Sequence, residues 1–274
     1  MSVFQSSAMT GFPKKRLGQN FLIDPNILRK IVAVISPKPE DIIVEIGPGR
    51  GALTDLLVQS GSEIHAIEID KDLIPELQMK FGRFPNFHLW NADALKFDLS
   101  TLSKPNSRLR IVGNIPYNIT SPLVFKIFEN VEKVQDVTFL VQREIARRIT
   151  SLPNSKDYGI LGVLSNYFTI PKLEFIVSPH VFRPAPKVFS AVITLTIRQI
   201  DSDQEFQRYL IKTVKTAFNQ RRKILSNALS VMLKERGTDD CPIDLNRRAE
   251  MLTVDEFTEL SQWFMRREYK PFSL

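Results

Sequence analysis

Short apolar runs rich in β-branched residues alternate with helix-period segments through the first half of the chain. The runs predict strands at 42–46, 64–69, 86–90, 109–112 and 137–141. The segments between them predict helices around 51–59, 71–80 and 121–130, of which the second should be short or distorted because of Pro75. This alternation is typical of a parallel sheet covered by helices on both faces. A further run at 188–197 predicts a half-exposed, antiparallel strand. We therefore expect an α/β fold.

Closely spaced glycines follow the first predicted strand, in the sequence VEIGPGRG at 44–51. Glycine lets a strand-to-helix turn close tightly, and it lets the backbone approach a ligand that a Cβ atom would exclude. The spacing G-x-G-x-G differs from the G-x-G-x-x-G of dinucleotide-binding folds, which argues against NAD. A plain strand-to-helix turn remains the alternative for the glycines taken alone.

Acidic residues stand at the ends of the next two predicted strands. Glu68 lies about 20 residues after the glycine loop, where a carboxylate can accept both hydroxyls of a ribose. Asp93 follows the third strand and is suited to accept from an adenine amine. Each acid alone is more often a helix cap or a solvated charge. Because open sheets bind ligands at the carboxyl ends of their strands, polar groups at three successive strand ends favour a ligand site.

The segment Asn114-Ile115-Pro116-Tyr117 follows the fourth predicted strand and suits a planar base that carries an amino group. Acceptors at Asn114 Oδ1 and at the carbonyl of Ile115 or Pro116 could hold both N–H groups and direct the nitrogen lone pair toward a methyl donor. Tyr117 would stack on the base. The alternative is an Asn-Pro turn with a tyrosine in the core.

From about residue 201 onward the periodicity is helical only. Apolar faces recur over 206–218 and 224–232, and Thr253 and Glu256 have the spacing of a capping box before a last helix. We therefore predict a boundary near residue 200. A catalytic domain would occupy 1–200, and a small all-helical domain would occupy 201–274.

The chain has an excess of basic residues, with 37 Lys and Arg against 30 Asp and Glu and a net charge of +7. Such an excess favours an anionic partner such as nucleic acid. Arg221, Arg222 and Lys223 lie in the acid-free stretch 211–234, so we predict that they bind phosphates. The alternative is a solvated helix face.

The composition also excludes several classes of site. One cysteine and three scattered histidines cannot form a disulfide framework or a Cys/His metal cluster, so we expect no metal. No apolar run of about 18 residues occurs, and the opening residues lack the apolar segment of a signal peptide. We therefore expect a soluble, cytoplasmic protein without a membrane partner.

Together these motifs resemble the ribosomal RNA adenine N6-dimethyltransferase family, and most closely its bacterial small-subunit branch. The resemblance covers nearly the whole chain. It implies a Rossmann-like class I methyltransferase sheet, mostly parallel with one antiparallel strand, and S-adenosyl-L-methionine as the cofactor. The cofactor-binding residues that it implies are Asn20 and Leu22 within the segment 17–22, Gly47 at the methionine portion, Glu68 at the ribose, Asp93 at the adenine, and Asn114.

The resemblance also implies the residues that contact the target base. Asn114, Ile115, Pro116 and Tyr117 match the family's catalytic tetrapeptide. Phe182 opens a segment, 182–188, that resembles a motif whose aromatic ring covers the base opposite the tyrosine. A buried phenylalanine at this position is the alternative.

The implied reaction is dimethylation of two adjacent adenosines in the 3′-terminal hairpin of small-subunit (16S) rRNA during ribosome biogenesis. The direct in-line transfer that we expect needs no metal or covalent enzyme intermediate. The segment Ala217–Lys223 resembles the small-subunit branch rather than the large-subunit branch that confers macrolide resistance. We expect a monomer that binds the rRNA within a ribosomal subunit or its precursor. The alternatives are a large-subunit rRNA adenine N6-methyltransferase of the macrolide-resistance type, a DNA adenine methyltransferase, and a non-catalytic ribosome-assembly or transcription factor on the same fold.

Overall fold

The computed structural model describes residues 19–105, 107–200, 203–238 and 240–266, without the side chains of residues 235 and 236. The chain divides into two compact units. The first comprises the residues up to Arg143 together with Glu174–Ile193, and the second comprises Glu144–Leu173 and the residues from Thr194 onward. The second unit thus includes a segment that precedes residue 200, and the functional boundary near residue 200 stays a prediction.

In the described residues, nine strands form two sheets. They are β1 (Phe21–Leu22), β2 (Ile42–Ile46), β3 (Glu63–Glu68), β4 (Phe87–Asn91), β5 (Leu109–Asn114), β6 (Val134–Gln142), β7 (Thr169–Val177), β8 (Phe182–Arg183) and β9 (Ser190–Ile197). The large sheet has the order β4-β3-β2-β5-β6-β9-β7, and β1 pairs antiparallel with β8 in a separate ribbon. The large sheet is mostly parallel with one antiparallel strand, which confirms the predicted fold class.

The strand order explains why ligand-binding groups meet at one edge. From β2 the chain proceeds outward to β3 and β4, and it then returns to β5 on the other side of β2. Where the strand order reverses in this way, open α/β sheets form a crevice at the carboxyl ends of the strands, and ligands bind there. All five residues of β2 are buried, as expected for a parallel strand with both faces covered.

Ten α-helices accompany the strands in the part of the chain that the structure describes. They are α1 (Pro25–Ile35), α2 (Thr54–Leu57), α3 (Ile74–Phe81), α4 (Thr120–Phe128), α5 (Arg143–Ile149), α6 (Ile160–Phe168), α7 (Gln204–Asn219), α8 (Leu225–Ala228), α9 (Ser230–Arg236) and α10 (Val254–Met265). Pro75 lies in the first turn of α3, where its missing N–H costs no helical hydrogen bond. The helix is short because it begins only at Ile74, and the proline in its first turn requires no distortion.

Helix α1 lies outside the predicted elements, although its start has a clear sequence signal. Asp24 accepts hydrogen bonds from the N–H groups of Asn26 (2.8 Å) and Ile27 (3.0 Å), and Pro25 begins the helix. Aspartate at the cap and proline at the first position are both favoured at helix starts. The buried residues Leu28, Ile31 and Ile35 then form one face that packs into the core.

The second unit contains the helices after residue 203. The predicted capping box at the start of α10 is confirmed, with the Thr253 hydroxyl accepting from the Glu256 N–H and the Glu256 carboxylate accepting from the Thr253 N–H. Phe218 of α7 contacts Phe257 of α10 with ring centroids 5.8 Å apart. None of the helices in the described part of the chain combines the length and the apolar character needed to cross a bilayer.

Candidate active site

A cavity of about 450 Å³ opens at the carboxyl ends of the central strands, wholly within the first unit. Nine of the residues predicted to contact cofactor or base line it: Asn20, Leu22, Gly47, Glu68, Asp93, Asn114, Ile115, Pro116 and Tyr117. These residues come from segments more than 90 positions apart in the sequence, such as Asn20 and Asn114. The volume falls within the range of about 300 to 1,000 Å³ typical of small-molecule sites.

The glycine loop has a backbone that other residues would strain. Gly47, Gly49 and Gly51 all have positive φ, at 66°, 59° and 81°. A Cβ atom on Gly51 would also collide with the ring of Phe81. Glycine is thus required by conformation and, at Gly51, by packing. The loop forms the tight turn that the sequence predicts.

Glu68 links the glycine loop to the end of β3. Its buried carboxylate accepts hydrogen bonds from the N–H of Gly49 (3.1 Å) and from the N–H of Asp70 (2.8 Å). Burial raises the pKa of Glu68, and these two backbone donors partly offset the increase. Because a carboxylate has about four lone-pair sites, it retains acceptor capacity for a ligand in the cavity.

Glu45 is a second buried carboxylate of the cavity wall, and the sequence interpretation gave it no role. It lies within β2 and accepts a hydrogen bond from Thr54 Oγ1 at 2.7 Å. Burial raises its pKa from 4.5 to about 7, with the Thr54 hydrogen bond opposing the increase and the charge of Glu68 adding to it. The signal that could have identified it is an acidic residue in an otherwise apolar strand.

The amide of Asn114 is oriented by a backbone contact. Its Nδ2 donates to the carbonyl oxygen of Asn20 at 2.8 Å, so Oδ1 occupies the opposite side of the same planar group. Nearby, Gln19 Nε2 donates to Asp70 Oδ2 at 2.9 Å. These two contacts hold the segment before β1 against β5 and β3, and the sequence interpretation identified neither of them. Leu17 and Gly18 of the predicted cofactor motif lie outside the described residues.

The tetrapeptide backbone is also fixed by hydrogen bonds. The Ile115 N–H donates to Leu140 O at 3.0 Å. The Pro116 carbonyl already accepts from the Ile119 N–H (3.1 Å) and from Thr120 Oγ1 (3.3 Å). Of the two carbonyls that the sequence left open as acceptors for a base, that of Ile115 is therefore the better placed.

The Tyr117 ring is half buried and held at its hydroxyl. Tyr117 Oη and Ser190 Oγ are 3.0 Å apart, within hydrogen-bonding distance. Burial raises the pKa of Tyr117, and the Ser190 hydrogen bond partly offsets this. The phenol is therefore neutral at physiological pH, and its ring contributes to the cavity wall.

Asp93 faces the cavity with one carboxylate oxygen already engaged. Its Oδ1 accepts from the Leu95 N–H at 2.9 Å, as in a turn-capping aspartate. The second oxygen leaves acceptor capacity for a ligand. The cap and the ligand contact were alternatives in the sequence, and the geometry accommodates both together.

Phe182 does not reach the cavity. Only 1% of its surface is exposed, and it pairs with Leu22 in the β1–β8 ribbon and packs in the core. This arrangement corresponds to the buried phenylalanine that the sequence left as the alternative, because an apolar ring gains more from the core than from a wet cleft. Stacking of Phe182 on a base stays a prediction.

The basic cluster Arg221, Arg222 and Lys223 is exposed and lies in the second unit. It follows the end of α7 at Asn219, so it occupies a turn rather than a helix face. The Arg221 side chain is engaged within this unit, because its Nε lies 2.9 Å from Glu250 Oε2 and it donates to Lys156 O at 2.7 Å. Arg222 and Lys223 are the members of the cluster that the structure leaves more accessible to a ligand.

Among the described residues, Glu63, His65 and His88 form a cluster with metal-ligand spacing. Trp90 Nε1 lies 3.2 Å from His65 Nδ1, and an indole N–H only donates. Burial lowers the pKa of His65, so its neutral ring carries the proton on Nε2 and donates it to Glu63, 3.1 Å away. Because the nitrogen that would bind a metal has no lone pair in this arrangement, we interpret the cluster as a hydrogen-bonded contact.

Comparisons with known proteins identify relatives over nearly the whole chain. Residues 13–266 match the family model for ribosomal RNA adenine dimethylase. A protein named ribosomal RNA small subunit methyltransferase A from Francisella tularensis is 42% identical over 253 residues, covering 91% of this chain and 97% of the relative. A protein of the same name from Pseudomonas savastanoi is 41% identical over 249 residues, covering 90% of this chain and 93% of the relative.

Two solved structures share the fold at lower identity. A dimethyladenosine transferase from Plasmodium falciparum has a TM-score of 0.73 at 22% identity, covering 90% of this chain and 98% of that one. The 23S rRNA methyltransferase ErmE has a TM-score of 0.66 at 24% identity, covering 90% and 100%. Given the family match across nearly all of the sequence and relatives above 40% identity, the chain belongs to the ribosomal RNA adenine dimethylase family.

Proposed function

We propose that this protein transfers methyl groups from S-adenosyl-L-methionine to N6 of adenosines in small-subunit rRNA, dimethylating two adjacent adenosines of the 3′-terminal hairpin. The observation that carries the proposal is the Asn114 amide, which is fixed by Asn20 and lines the cavity beside Tyr117. Family membership supports the reaction type. The names of the relatives at 41% and 42% identity support the small subunit as the substrate.

The residues present fit S-adenosyl-L-methionine. Gly47 leaves space in the cavity that a side chain would fill, since a Cβ atom there would meet no protein atom within 4 Å. Glu68 retains acceptor capacity for the ribose hydroxyls, and Asp93 retains an oxygen for the adenine amine. The residues that would hold the cofactor are Asn20, Leu22, Gly47, Glu68, Asp93 and Asn114. When bound, the cofactor supplies an electrophilic methyl group on a sulfonium.

The protein contributes by holding the target amine in a reactive geometry. Asn114 Oδ1 and the Ile115 carbonyl would accept the two N–H groups of N6, which favours a tetrahedral nitrogen and directs its lone pair. The amide cannot rotate without losing the Asn20 hydrogen bond, so this acceptor is preorganised. Tyr117, held by Ser190, would stack on the adenine ring.

Proton removal requires no dedicated base in this scheme. Attack by N6 leaves a positively charged nitrogen whose proton is acidic enough to pass to water. The raised pKa of Tyr117 keeps the phenol protonated, so its role is stacking. Flipping the adenine out of its stack costs least at loops and helix ends, which favours an unpaired target.

The C-terminal helical region from residue 201 would recognise the RNA. We infer that Arg222 and Lys223 neutralise phosphates, because both are exposed and the stretch 211–234 contains no acid. Arg221 would act partly by positioning the turn, since it already binds Glu250. We further propose that the protein acts as a cytoplasmic monomer on the rRNA of a ribosomal subunit or its precursor.

The test is transfer of labelled methyl groups to undermethylated small subunits, followed by nucleoside analysis of the RNA. We expect N6,N6-dimethyladenosine in small-subunit rRNA, with no label in large subunits or duplex DNA assayed in parallel. Label in the large subunit or in DNA would contradict the proposed substrate. Cofactor binding without transfer to any nucleic acid would favour a non-catalytic assembly factor.

A further inference from the structure

Phe189 presents an exposed aromatic ring just before β9. It exposes 46% of its surface, whereas the next residue, Ser190, is 1% exposed. The Arg143 guanidinium lies over the ring, with its carbon 5.4 Å from the ring centroid. The Arg143 N–H also donates to the Phe189 carbonyl at 3.0 Å. The ring and the cation are therefore held together by a backbone contact as well as by the side chains.

This pair lies next to the residue that holds the Tyr117 hydroxyl. Ser190 follows Phe189 directly and is hydrogen-bonded to the Tyr117 hydroxyl at 3.0 Å. Phe189 is not among the residues that line the cavity, so its ring is outside the space assigned to cofactor and target base. All four residues belong to the first unit.

The segment that carries the ring is basic, and Glu144, which follows Arg143, is paired with Arg148. The exposed segment 183–189 contains Arg183 and Lys187 and no acidic residue, and Arg143 adds a third positive charge. Exposed aromatic rings among cations are the combination by which proteins bind single-stranded nucleic acid, because bases stack on the rings and phosphates contact the cations.

We propose that Phe189 and Arg143 form a stacking surface for an unpaired base adjacent to the target adenosine. The proposal rests on the proposed function, since it assumes an RNA substrate whose target adenine lies on Tyr117. With the guanidinium on one side of the ring, the exposed remainder of the ring would contact the neighbouring base. The positive charge of Arg143 would favour the phosphate between the two nucleotides.

The test uses synthetic hairpin RNAs with two adjacent loop adenosines, in which 2-aminopurine replaces the base on either side of that pair. We expect the wild-type protein to quench the fluorescence of one of the two probes. Phe189→Ala should abolish the quenching and weaken hairpin binding about tenfold, the scale of one lost base stack. Phe189→Trp should retain both. Met79→Ala, an exposed apolar residue of α3 in the same unit, is the matched control and should behave as wild type.

Two further measurements separate this contact from the rest of the site. Binding of S-adenosylhomocysteine by calorimetry should be the same in all four proteins. In methyl transfer to undermethylated small subunits, Phe189→Ala should raise KM with little change in kcat, because the target base itself is held elsewhere.

The stacking proposal is wrong if Phe189→Ala binds the hairpin as Met79→Ala does while the wild-type protein methylates small subunits; the proposed function then stands. It is also wrong if binding weakens only with whole subunits, because the ring would then contact another component of the particle. If the wild-type protein methylates no RNA at all, the proposed function fails and the stacking surface fails with it.

Discussion

At the scale of single residues, Glu68 has two tasks, one in holding the glycine loop and one in binding the ligand. Its carboxylate holds the Gly49 and Asp70 N–H groups, and we propose that its remaining lone pairs bind the ribose. Glu68→Ala should weaken S-adenosyl-L-methionine binding by about 1.5 to 3 kcal/mol, the scale of hydrogen bonds to a charged acceptor. Calorimetry measures this change. Glu63→Ala, at the opposite end of β3, is the control. A folded Glu68→Ala protein with unchanged affinity would restrict Glu68 to holding the loop.

Asn114 is the residue whose removal should affect chemistry more than binding. Its acceptor matters most as N6 becomes tetrahedral, so Asn114→Ala should lower kcat about 100-fold or more. Cofactor affinity should fall far less than kcat, because Asn114 would supply only one of several contacts to the cofactor. Single-turnover methyl transfer measures the first quantity and calorimetry the second. A normal transfer rate in the mutant would remove Asn114 from the mechanism.

Glu45 predicts a pH dependence of stability. Its pKa is about 7 in the folded protein, above the ordinary 4.5, so the folded state binds the proton more tightly than the unfolded state does. Its contribution to stability is therefore fully present below about pH 4.5 and is lost as the pH rises through 7. Glu45→Gln keeps an acceptor for Thr54 and does not ionise. It should be more stable than wild type by about 1 to 3 kcal/mol at pH 8, with little difference at pH 5.

Urea unfolding of the two proteins between pH 5 and 8 tests this prediction, since other titrating groups cancel in the difference. A stability difference that stays constant across that range would show that Glu45 does not titrate there.

At the scale of elements, the close packing of β5 against β2 gives a sharp prediction for Gly113. A Cβ atom there would lie 2.5 Å from the Ile46 carbonyl oxygen and 2.9 Å from Ile115 Cδ1. Because the backbone of a central strand cannot move aside, Gly113→Ala should destabilise the fold by about 1 to 3 kcal/mol. Gly159→Ala is the matched control, since a Cβ atom there meets nothing within 4 Å. Equal urea midpoints for the two variants would contradict the prediction.

The elements that could be predicted are those whose burial leaves a pattern in the sequence. Strand β2 has the predicted bounds because a fully buried parallel strand reads as an apolar run, here interrupted only by Glu45, before the glycines. Strand β7 is absent from the predicted elements, and it contains Pro171, a residue that argues against a strand. The structure accommodates this proline at the edge of the sheet, where a missing N–H is tolerated.

The same physical limit applies to the site. Residues at strand ends, such as Glu68 and Asn114, could be identified because parallel strands bring their carboxyl ends together. The contacts Gln19–Asp70 and Asn114–Asn20 could not, because they join segments whose approach depends on the folded backbone. Phe182 had two plausible environments, and only the pairing of β1 with β8 shows that it is buried in this conformation.

At the scale of the whole molecule, the proposed functions fall in different units. The cofactor cavity, including the tetrapeptide 114–117, lies in the first unit. The basic turn 221–223 lies in the second. Variants of the turn should therefore change RNA binding and leave cofactor affinity intact. Within the turn, Arg221 contacts Glu250 and Lys156, so its removal would also disturb the local structure. Arg222 and Lys223 thus give the cleaner test.

Combined replacement Arg222→Ala and Lys223→Ala should weaken small-subunit binding strongly at low salt. It should also reduce the slope of log affinity against log salt by about 1.4 to 1.8, because each lost phosphate contact accounts for about 0.7 to 0.9. Arg29→Ala with Lys30→Ala on α1 removes the same two positive charges from an exposed helix surface of the first unit and is the matched control. Its slope should stay near that of wild type. Equal slopes for the two double variants, both folded by thermal unfolding, would mean that the turn is an ordinary solvated surface and that total charge alone governs binding.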